Sequence, residues 1–321
     1  MIVSRPSFFD ASRFNAAINK RKKFFTSTNA LRFINGRGDD LAGLAVDVYN
    51  KHFVVQLFDK RWEHELKNIQ NYLQQRFDPD YLIVKWRTSS DGRSLDQPKV
   101  QILVEKISAQ TVVTENNLKF QVDLNDTVNT GLFLDMRDNR QLIGSIAQGK
   151  RVLNCFSYSC SFGVYAQSHG SSDVVNVDIS QKVLDKGRVN YQLNNLSYGE
   201  SDFVKRDTED YLLWAGKKNI FFDIIILDPP SFARYGNKVF AVKKELPRLI
   251  ELAVKILNPG GFLFVATNCS DIASESLARQ VKLSGSIYRR TPKALKRLRQ
   301  SGDFVGQGMK ESHLAAVLVN F

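Results

Sequence analysis

Two aspartates that end apolar segments, Asp178 and Asp228, are the first residues whose type and position could do chemistry. An acid at the end of the second strand of a βαβ unit can accept hydrogen bonds from both hydroxyl groups of a ribose, which suits Asp178. Asp228 is followed directly by Pro229 and Pro230. Prolines at this point stop a strand and stiffen the loop over its carboxyl end, where ligands bind in open α/β sheets. The two acids therefore indicate a nucleotide site at the edge of a sheet.

The segments before Asp178 have the order that such a site needs. Arg151–Phe156 is a short apolar strand, and Ser157–Ser161 is a turn of small and hydroxylated residues. Phe162–Ser168 begins a helix that leads to the strand Val174–Val177. The turn lacks the G-x-G-x-x-G fingerprint, so an ordinary Rossmann-like crossover, with Asp178 capping the next helix, remains an alternative. Together with the Asp-Pro-Pro-aromatic sequence, the pattern favours an S-adenosylmethionine-dependent methyltransferase.

Composition and charge narrow the partners and the compartment. The chain has 321 residues, of which 43% are apolar, and this is enough for two domains with proper cores. Its net charge of +12 implies an acidic partner. Charge alone does not distinguish nucleic acid from an anionic surface. Without a signal peptide or an apolar run of membrane length, we expect a cytoplasmic protein that binds no membrane. The three cysteines fit no disulfide or metal framework, and we predict no metal: Cys155, Cys160 and Cys269.

The periodicity of the chain predicts two domains. Residues 1–110 combine a basic N-terminal helix, three short strands within 31–58 and an amphipathic helix over Trp62–Phe77, which makes a small α+β domain for RNA or substrate recognition. Residues 111–321 alternate strands with helices, and we expect an α/β fold with a mostly parallel sheet and helices on both faces. Within this domain, 233–239 is predicted to be a polar loop.

Five motifs, taken in order, resemble the bacterial 23S rRNA (cytosine-5) methyltransferase family. They are Asn-Thr-Gly-Leu-Phe-Leu-Asp-Met-Arg at 129–137, Val-Leu-Asn-Cys-Phe-Ser-Tyr at 152–158, Val-Asp-Ile-Ser at 177–180, Leu-Asp-Pro-Pro-Ser-Phe at 227–232 and Asn-Cys-Ser at 268–270. Residues 29–58 look like that family's middle domain. The resemblance implies a Rossmann-like class I methyltransferase domain with a seven-stranded sheet, S-adenosylmethionine as cofactor and 23S rRNA as partner. It leaves a homodimer open.

Two departures from the family pattern stand out. The chain is expected to begin after the N-terminal PUA-type RNA-binding domain that relatives carry, which affects RNA affinity or target choice. The turn Ser159-Cys160-Ser161 replaces the family's Thr-Gly-Gly. A Cβ at Cys160 would then project where glycine left room for the methionine moiety of the cofactor.

The resemblance also implies a set of cofactor contacts. Backbone N–H groups of the turn after the first strand would face the carboxylate of the amino-acid moiety, Asp178 would bind the ribose, and Asp207 would accept from the adenine amino group. Asp207 could equally cap the helix that follows it, and Arg137 could form an ion pair within its own helix instead of covering the cofactor. The complete predicted set is Phe133, Arg137, Asn154, Phe156, Ser157, Tyr158, Ser159, Asp178, Ile179, Arg206, Asp207, Asp228 and Pro229.

Within the resemblance, Cys269 is the predicted catalytic nucleophile. Carbon 5 of cytosine becomes nucleophilic only after a thiolate adds to carbon 6, and Asp228 would hold or protonate N3. Pro230 and Phe232 would form a wall and a stacking platform for the base. Without the family motifs, a lone buried cysteine is more often an inert small hydrophobe.

Basic residues are the predicted phosphate contacts, and they include Lys20, Arg21, Arg289, Arg290 and Lys293. Two other functions remain open. An enzyme that methylates an exocyclic amine or guanine N7 could use the Asp-Pro-Pro motif without a cysteine. A non-catalytic RNA-binding or ribosome-assembly protein with a degenerate cofactor turn would bind RNA but not S-adenosylmethionine.

Overall fold

The computed structural model describes residues 8–88, 94–126, 129–235, 238–306 and 314–321, and the chain forms two compact units. Unit 1 consists of residues 1–135 and 301–311, and unit 2 consists of residues 136–300 and 312–321. The chain therefore crosses between the units three times.

The boundary between the units lies after Asp135, later than the predicted boundary after residue 110. The reason is a hairpin that belongs to unit 1. Thr28 and Glu115 form an isolated β-bridge, and the amide of Asn116 donates to the carbonyl of Ser27 at 2.7 Å. These backbone bonds tie residues 110–123 to the start of the first sheet, although sequence periodicity placed them with the later strands.

Unit 1 is built on a five-stranded sheet with the order β1-β2-β3-β4-β5. Only β3 and β4 run parallel to each other, because the helix α2 connects them. The elements are α1 (Ala11–Arg21), β1 (Ala30–Asn35), β2 (Leu44–Tyr49), β3 (His52–Leu57), α2 (Leu66–Phe77), β4 (Tyr81–Thr88), β5 (Ser94–Glu105), β6 (Gln110–Glu115) and β7 (Leu118–Asp123). The three predicted strands within 31–58 are confirmed, and α2 begins four residues later than predicted because Lys60–Glu65 forms a 3-10 turn.

Unit 2 contains a seven-stranded sheet with the order β10-β9-β8-β11-β14-β16-β15. All neighbours from β10 to β14 are parallel, and β16 is antiparallel to both β14 and β15. The elements are α3 (Arg137–Ser145), β8 (Arg151–Cys155), α4 (Ser161–Ser168), β9 (Asp173–Asp178), α5 (Gln181–Leu193), β10 (Phe203–Lys205), α6 (Thr208–Lys217), β11 (Phe222–Leu227), β12 (Phe232–Tyr235), β13 (Lys238–Ala241), α7 (Val242–Lys255), β14 (Leu257–Thr267), α8 (Ser274–Ile287), β15 (Ala294–Leu298) and β16 (Ala315–Asn320). The predicted mostly parallel sheet is confirmed.

Helices cover both faces of this sheet, as the alternation along β8 and β11 shows. Ile225 and Leu227 pack in one core with residues of α6, α7 and α8. Ile224 and Ile226 pack in a second core with residues of α3 and α4. Because successive side chains of a strand point to opposite faces, a continuous apolar run is what a strand buried on both sides requires.

The described residues of the segment 233–239, predicted to be a polar loop, instead belong to the strands β12 and β13 of an antiparallel hairpin. Phe232 pairs with Ala241, and Ala233 pairs with Phe240. Neither strand alternates apolar and polar residues, so the period that predicts a strand was missing from the sequence. The helix α8 was not predicted. Within the described ranges, no helix is both long and apolar enough to cross a membrane.

Candidate active site and cofactor cleft

The chemistry-bearing residues of unit 2 gather at the carboxyl edge of the parallel strands. The strand ends are level with one another: Cys155 pairs with Val177, and Leu227 pairs with both Cys155 and Val265. The residues that come next along each strand therefore emerge side by side. They are Phe156 after β8, Asp178 at the end of β9, Arg206 after β10, Asp228 after β11 and Asn268 after β14.

Asp178 is held by backbone amides. One carboxylate oxygen accepts from the amide of Tyr158 at 3.0 Å, and the other accepts from the amide of Ser180 at 2.9 Å. Burial raises the pKa of Asp178, and its hydrogen bonds to backbone amides, including that of Ile179, only partly oppose the effect. A carboxylate offers about four acceptor positions, so these bonds leave acceptor capacity for a ligand. Asp178 is thus oriented as a ribose-binding acid requires.

A cleft opens beside Asp178 and has both polar and aromatic walls. The rings of Phe156 and Phe240 lie 5.6 Å apart between their centroids. Flat apolar walls and an acid suit the adenosine part of a nucleotide. The residues that line the cleft are Phe156, Asp178, Ile179, Asp207, Thr208, Glu209, Phe240, Glu245 and Leu249.

Four predicted cofactor residues meet in this cleft: Phe156, Asp178, Ile179 and Asp207. The sequence interpretation missed the wall formed by Phe240, Glu245 and Leu249. These residues come from β13 and α7, well after the βαβ unit, and only the hairpin pattern around 232–241 could have pointed to them.

The alternative role of Asp207 is confirmed by its contacts. Its side chain accepts from the amides of Glu209 at 2.9 Å and Asp210 at 3.3 Å, so it caps α6. It nevertheless lines the cleft, and the two roles are compatible. The neighbouring Arg206 places its guanidinium 5.6 Å from the ring centroid of Trp214.

The loop after β8 has a strained but well-supported backbone. Phe156, Tyr158 and Cys160 all have positive φ, at 53°, 48° and 59°. The amide of Cys160 donates to the carbonyl of Ser157 at 2.8 Å, and the Asn190 side chain donates to the carbonyl of Ser159 at 2.9 Å. Such strain persists only where surrounding contacts impose it, and it concentrates at ligand sites.

The serines and the asparagine near this loop are buried parts of its support. Ser157 is 6% exposed and Ser159 is 1% exposed. The Asn154 side chain is buried within β8 and donates to Asn176 on β9 at 2.9 Å. The Asn154 side chain thus joins two strands, and the predicted contact of Asn154 with the cofactor stays a prediction.

The substituted residue Cys160 is accommodated away from the cleft. Its side chain is fully buried, and burial raises the pKa of its thiol. A Cβ added at Gly187 on α5 would lie 2.3 Å from the Cys160 sulfur. The absence of a side chain at Gly187 therefore provides the space that Cys160 occupies, and the Cys160 Cβ is directed toward α5.

Phe133 and Arg137, the predicted cofactor cap, belong to different units. Phe133 is in unit 1 and is 40% exposed, whereas Arg137 starts α3 in unit 2 and is 2% exposed. Arg137 forms an ion pair with Asp138 at 3.2 Å, which confirms the alternative of a salt bridge within its own helix.

The loops that carry Asp228 and Cys269 are joined by a hydrogen bond. The Ser231 hydroxyl donates to the Asn268 side-chain oxygen at 2.6 Å. Asp228 and Cys269 are both half-buried, and Pro229 is buried. Adjacent strand ends and this bond bring the predicted acid and the predicted nucleophile to neighbouring loops of one sheet edge.

A cation near Cys269 was not anticipated from the sequence. Lys243, at the start of α7, forms an ion pair with Asp271. The pKa of Lys243 is raised, first by its hydrogen bond to Asp271 and the attraction between these charges, and to a smaller extent by the charge of Cys269. The same ion pair lowers the pKa of Asp271. No sequence spacing relates 243 to 269, so only the fold reveals this neighbour.

The predicted phosphate contacts separate into exposed and structural residues. Lys20, Arg289 and Lys293 are exposed. Arg21 is fully buried and forms two hydrogen bonds of 2.6 Å with Asp39, so it cannot be a surface contact.

Arg290 also has a structural role. It is half-buried, donates to the carbonyl of Leu257, and its pKa is lowered by burial. Both arginines were assigned from local charge alone. The tertiary structure corrects the assignment of Arg21, and a phosphate contact of Arg290 stays a prediction.

The strand order, with its one antiparallel strand, and the cleft at the carboxyl edge define a nucleotide-cofactor transferase fold. Residues 31–290 match the family described as S-adenosylmethionine-dependent methyltransferase, and the chain belongs to that family. It is therefore a methyltransferase that uses S-adenosylmethionine. The oriented carboxylate of Asp178 and the aromatic walls of the cleft fit the adenosine part of this cofactor.

Relatives of known name extend the comparison. The chain is 33% identical over 276 residues to ribosomal RNA large subunit methyltransferase I of Aeromonas salmonicida, covering 85% of this chain and 69% of the relative. It is 32% identical over 302 residues to the protein of the same name in Erwinia tasmaniensis, covering 92% and 75%.

Solved structures agree with this assignment. The crystal structure of SMU.776 complexed with SAH superposes with a TM-score of 0.85 at 27% identity, covering 99% of this chain and 83% of that one. A structure from Streptococcus mutans superposes with a TM-score of 0.83 at 26% identity, with the same coverage.

Proposed function

We propose that the protein methylates carbon 5 of a cytosine in ribosomal RNA of the large subunit and that Cys269 is the nucleophile. The relatives named ribosomal RNA large subunit methyltransferase I support the substrate class. The observation that carries the chemistry is the hydrogen bond between Ser231 and Asn268, which joins the loop after Asp228 to the loop that holds Cys269. A thiol and a carboxylate on neighbouring loops are the two groups that carbon-5 methylation needs.

The residues of this chain have distinct roles in the reaction. The Cys269 thiolate adds to carbon 6 of cytosine, and the electron pair of the C5–C6 double bond moves to make carbon 5 nucleophilic. Asp228 holds N3 and supplies a proton there. S-adenosylmethionine supplies the methyl group as an electrophile. Water then takes the proton from carbon 5, the Cys269 sulfur leaves as a thiolate while the C5–C6 double bond forms again, and N3 returns its proton to Asp228.

The cofactor is held by the cleft and the strained loop. Asp178 accepts from the ribose hydroxyls, and Phe156 and Ile179 pack on the adenosine. Asp207 lines the cleft at the position expected for the adenine amino group while it also caps α6. Backbone N–H groups near the start of α4 face the amino-acid moiety, because the first turn of a helix attracts a carboxylate.

The decisive test is the response to removal of the Cys269 sulfur. Unmodified ribosomal RNA is incubated with S-adenosylmethionine and enzyme, and its nucleosides are analysed by mass spectrometry. Wild-type protein should form 5-methylcytosine, and Cys269→Ala should lose at least about 10³-fold in rate, since it removes the nucleophile. Retained turnover with a methylated amine or N7-methylguanine would replace the proposal with the non-covalent alternative.

A trapping experiment supplies the matched control. RNA containing 5-fluorocytidine cannot lose fluorine from carbon 5, so the adduct with a cysteine nucleophile persists under denaturing electrophoresis. Wild-type protein should be trapped, Cys269→Ala should not, and Cys155→Ala should be, because Cys155 is fully buried within β8. Trapping of Cys269→Ala would contradict the assigned nucleophile.

A further inference from the structure

The hairpin β12–β13 has two chemically different faces. Phe240 is 8% exposed and lines the cofactor cleft, and its partner Ala233 packs against the core of unit 2. On the other face, Phe232 is 59% exposed and Val239 is 48% exposed. Arg234, which pairs with Val239, is also exposed. Contiguous exposed apolar side chains that are bordered by a charged residue can form an interaction surface.

The base of the hairpin is attached to the loop of the proposed nucleophile. The amide of Val242 donates to the carbonyl of Ser231 at 3.1 Å and closes the hairpin. Ser231 also donates to Asn268 through its side chain, and Lys243 pairs with Asp271. The outward face is therefore continuous with the edge of the site where the target base must react.

We propose that the outward face of this hairpin is the docking surface for the single-stranded RNA that flanks the target base. Phe232 stacks on a neighbouring base, Arg234 contacts a phosphate, and Val239 packs against the sugar or base edge. Stacking on an aromatic ring together with a cation is the usual chemistry for single strands, and a net charge of +12 complements the RNA backbone. This inference rests on the proposed RNA substrate and names the element that recognises it.

Substitutions on the two faces of the hairpin should affect different ligands, RNA for the outward face and S-adenosylmethionine for the inward face. Phe232→Ala should weaken binding of a fluorescein-labelled oligocytidylate of about 12 nucleotides by about tenfold, measured by anisotropy. Arg234→Ala should weaken it severalfold and lower the slope of log K against log salt by about one. Both variants should bind S-adenosylmethionine like the wild type in calorimetry. Phe240→Leu should do the reverse, weakening S-adenosylmethionine about threefold through loss of ring packing.

Matched controls come from the amino end of β11, whereas the hairpin follows its carboxyl end. Phe221, 39% exposed, precedes β11, and the exposed Lys218 follows α6. Phe221→Ala and Lys218→Ala should leave RNA binding unchanged. If Phe232→Ala and Arg234→Ala bind RNA no worse than these controls, the docking surface is refuted. Wild-type protein that binds RNA through the hairpin but forms no 5-methylcytosine would refute only the proposed reaction, and wild-type protein that binds no RNA would refute both.

Discussion

Lys243 comes from another segment of the chain and reaches the loop that follows Cys269, because it forms an ion pair with Asp271. Since a cation near a thiol favours the thiolate, we expect Lys243 to increase the reactivity of Cys269. Asp271 partly offsets this charge because it is paired with Lys243.

Replacing Lys243 should lower the reactivity of the thiol. Alkylation by iodoacetamide at neutral pH should slow about threefold in Lys243→Ala, as expected for a charge pair exposed to solvent, and Lys243→Arg should retain most of the rate. Cys155 and Cys160 are buried, so alkylation of the folded protein reports on Cys269. An unchanged rate in Lys243→Ala would show that the cation does not influence the sulfur.

Asp178 should make cofactor binding dependent on pH. Burial raises its pKa, so the carboxylate is protonated at a higher pH than an exposed aspartate and then loses acceptor positions for the ribose. Affinity for S-adenosylmethionine should fall by up to about tenfold per pH unit below that raised pKa. Calorimetry of the wild type between neutral and mildly acid pH measures this fall, and Asp178→Asn should bind weakly at every pH with a flatter profile.

The same raised pKa affects stability with a definite sign. Because the folded-state pKa lies above the unfolded-state value, the charged carboxylate costs stability at pH values above the folded pKa. That cost is relieved as the pH falls through the folded pKa. Asp178 therefore favours cofactor binding at the expense of stability. At a pH above the folded-state pKa, Asp178→Asn should melt at a higher temperature than the wild type.

At the scale of elements, Cys160 and Gly187 form a complementary pair between the cofactor loop and α5. A Cβ at Gly187 would lie 2.3 Å from the sulfur and 2.9 Å from the Cβ of Cys160, and Phe203 is 3.2 Å away. Cys160 itself has a φ of 59°, a conformation that favours glycine. Gly187 thus leaves the space that the Cys160 side chain occupies.

The packing of Cys160 against Gly187 predicts that a second substitution restores the stability lost through the first. Gly187→Ala alone should destabilise the protein by about 1–3 kcal/mol through overpacking. Adding Cys160→Gly removes the clashing sulfur and relieves the left-handed backbone, so the double variant should recover most of the stability. Thermal or denaturant unfolding of the four proteins gives the coupling energy. Additive losses would show that the two positions do not share the space.

Charge acts at the scale of the whole molecule, but only where it is exposed. Lys296 and Arg297 are exposed on β15, an edge strand parallel to β14 whose end is level with Ala266. Arg21 and Arg290 contribute to the net charge of +12, yet their guanidinium groups are used inside the protein. Fewer basic groups are therefore accessible to phosphates than the net charge suggests.

Charge reversal should follow this distinction. Lys296→Glu should weaken RNA binding severalfold at low salt and reduce the salt slope by about one, with no effect on S-adenosylmethionine. Lys218→Glu is the control, because Lys218 lies near the amino end of β11, and it should change RNA binding less. Equal losses in both variants would indicate a diffuse attraction without a defined edge.

Much of unit 2 could be predicted from local pattern. The strands predicted at Arg151–Phe156 and Val174–Val177 are observed as β8 and β9, and the apolar runs before Phe156, Asp178 and Asp228 became adjacent strands. Runs of this kind report burial on both faces of a parallel sheet, which is a property of each segment alone. Asp178 and Asp228, which follow two of these runs, are positioned by that same local rule.

The sequence by itself determined the parallel α/β sheet and the positions of Asp178 and Asp228 at strand ends, because periodicity and strand ends are encoded locally. Only the tertiary structure decided the wall at Phe240, the cation at Lys243, the burial of Arg21 and the space at Gly187 that receives Cys160. Each of these depends on which distant segments come into contact. Contacts of that kind are set by packing and strand order, and no spacing along the chain encodes them.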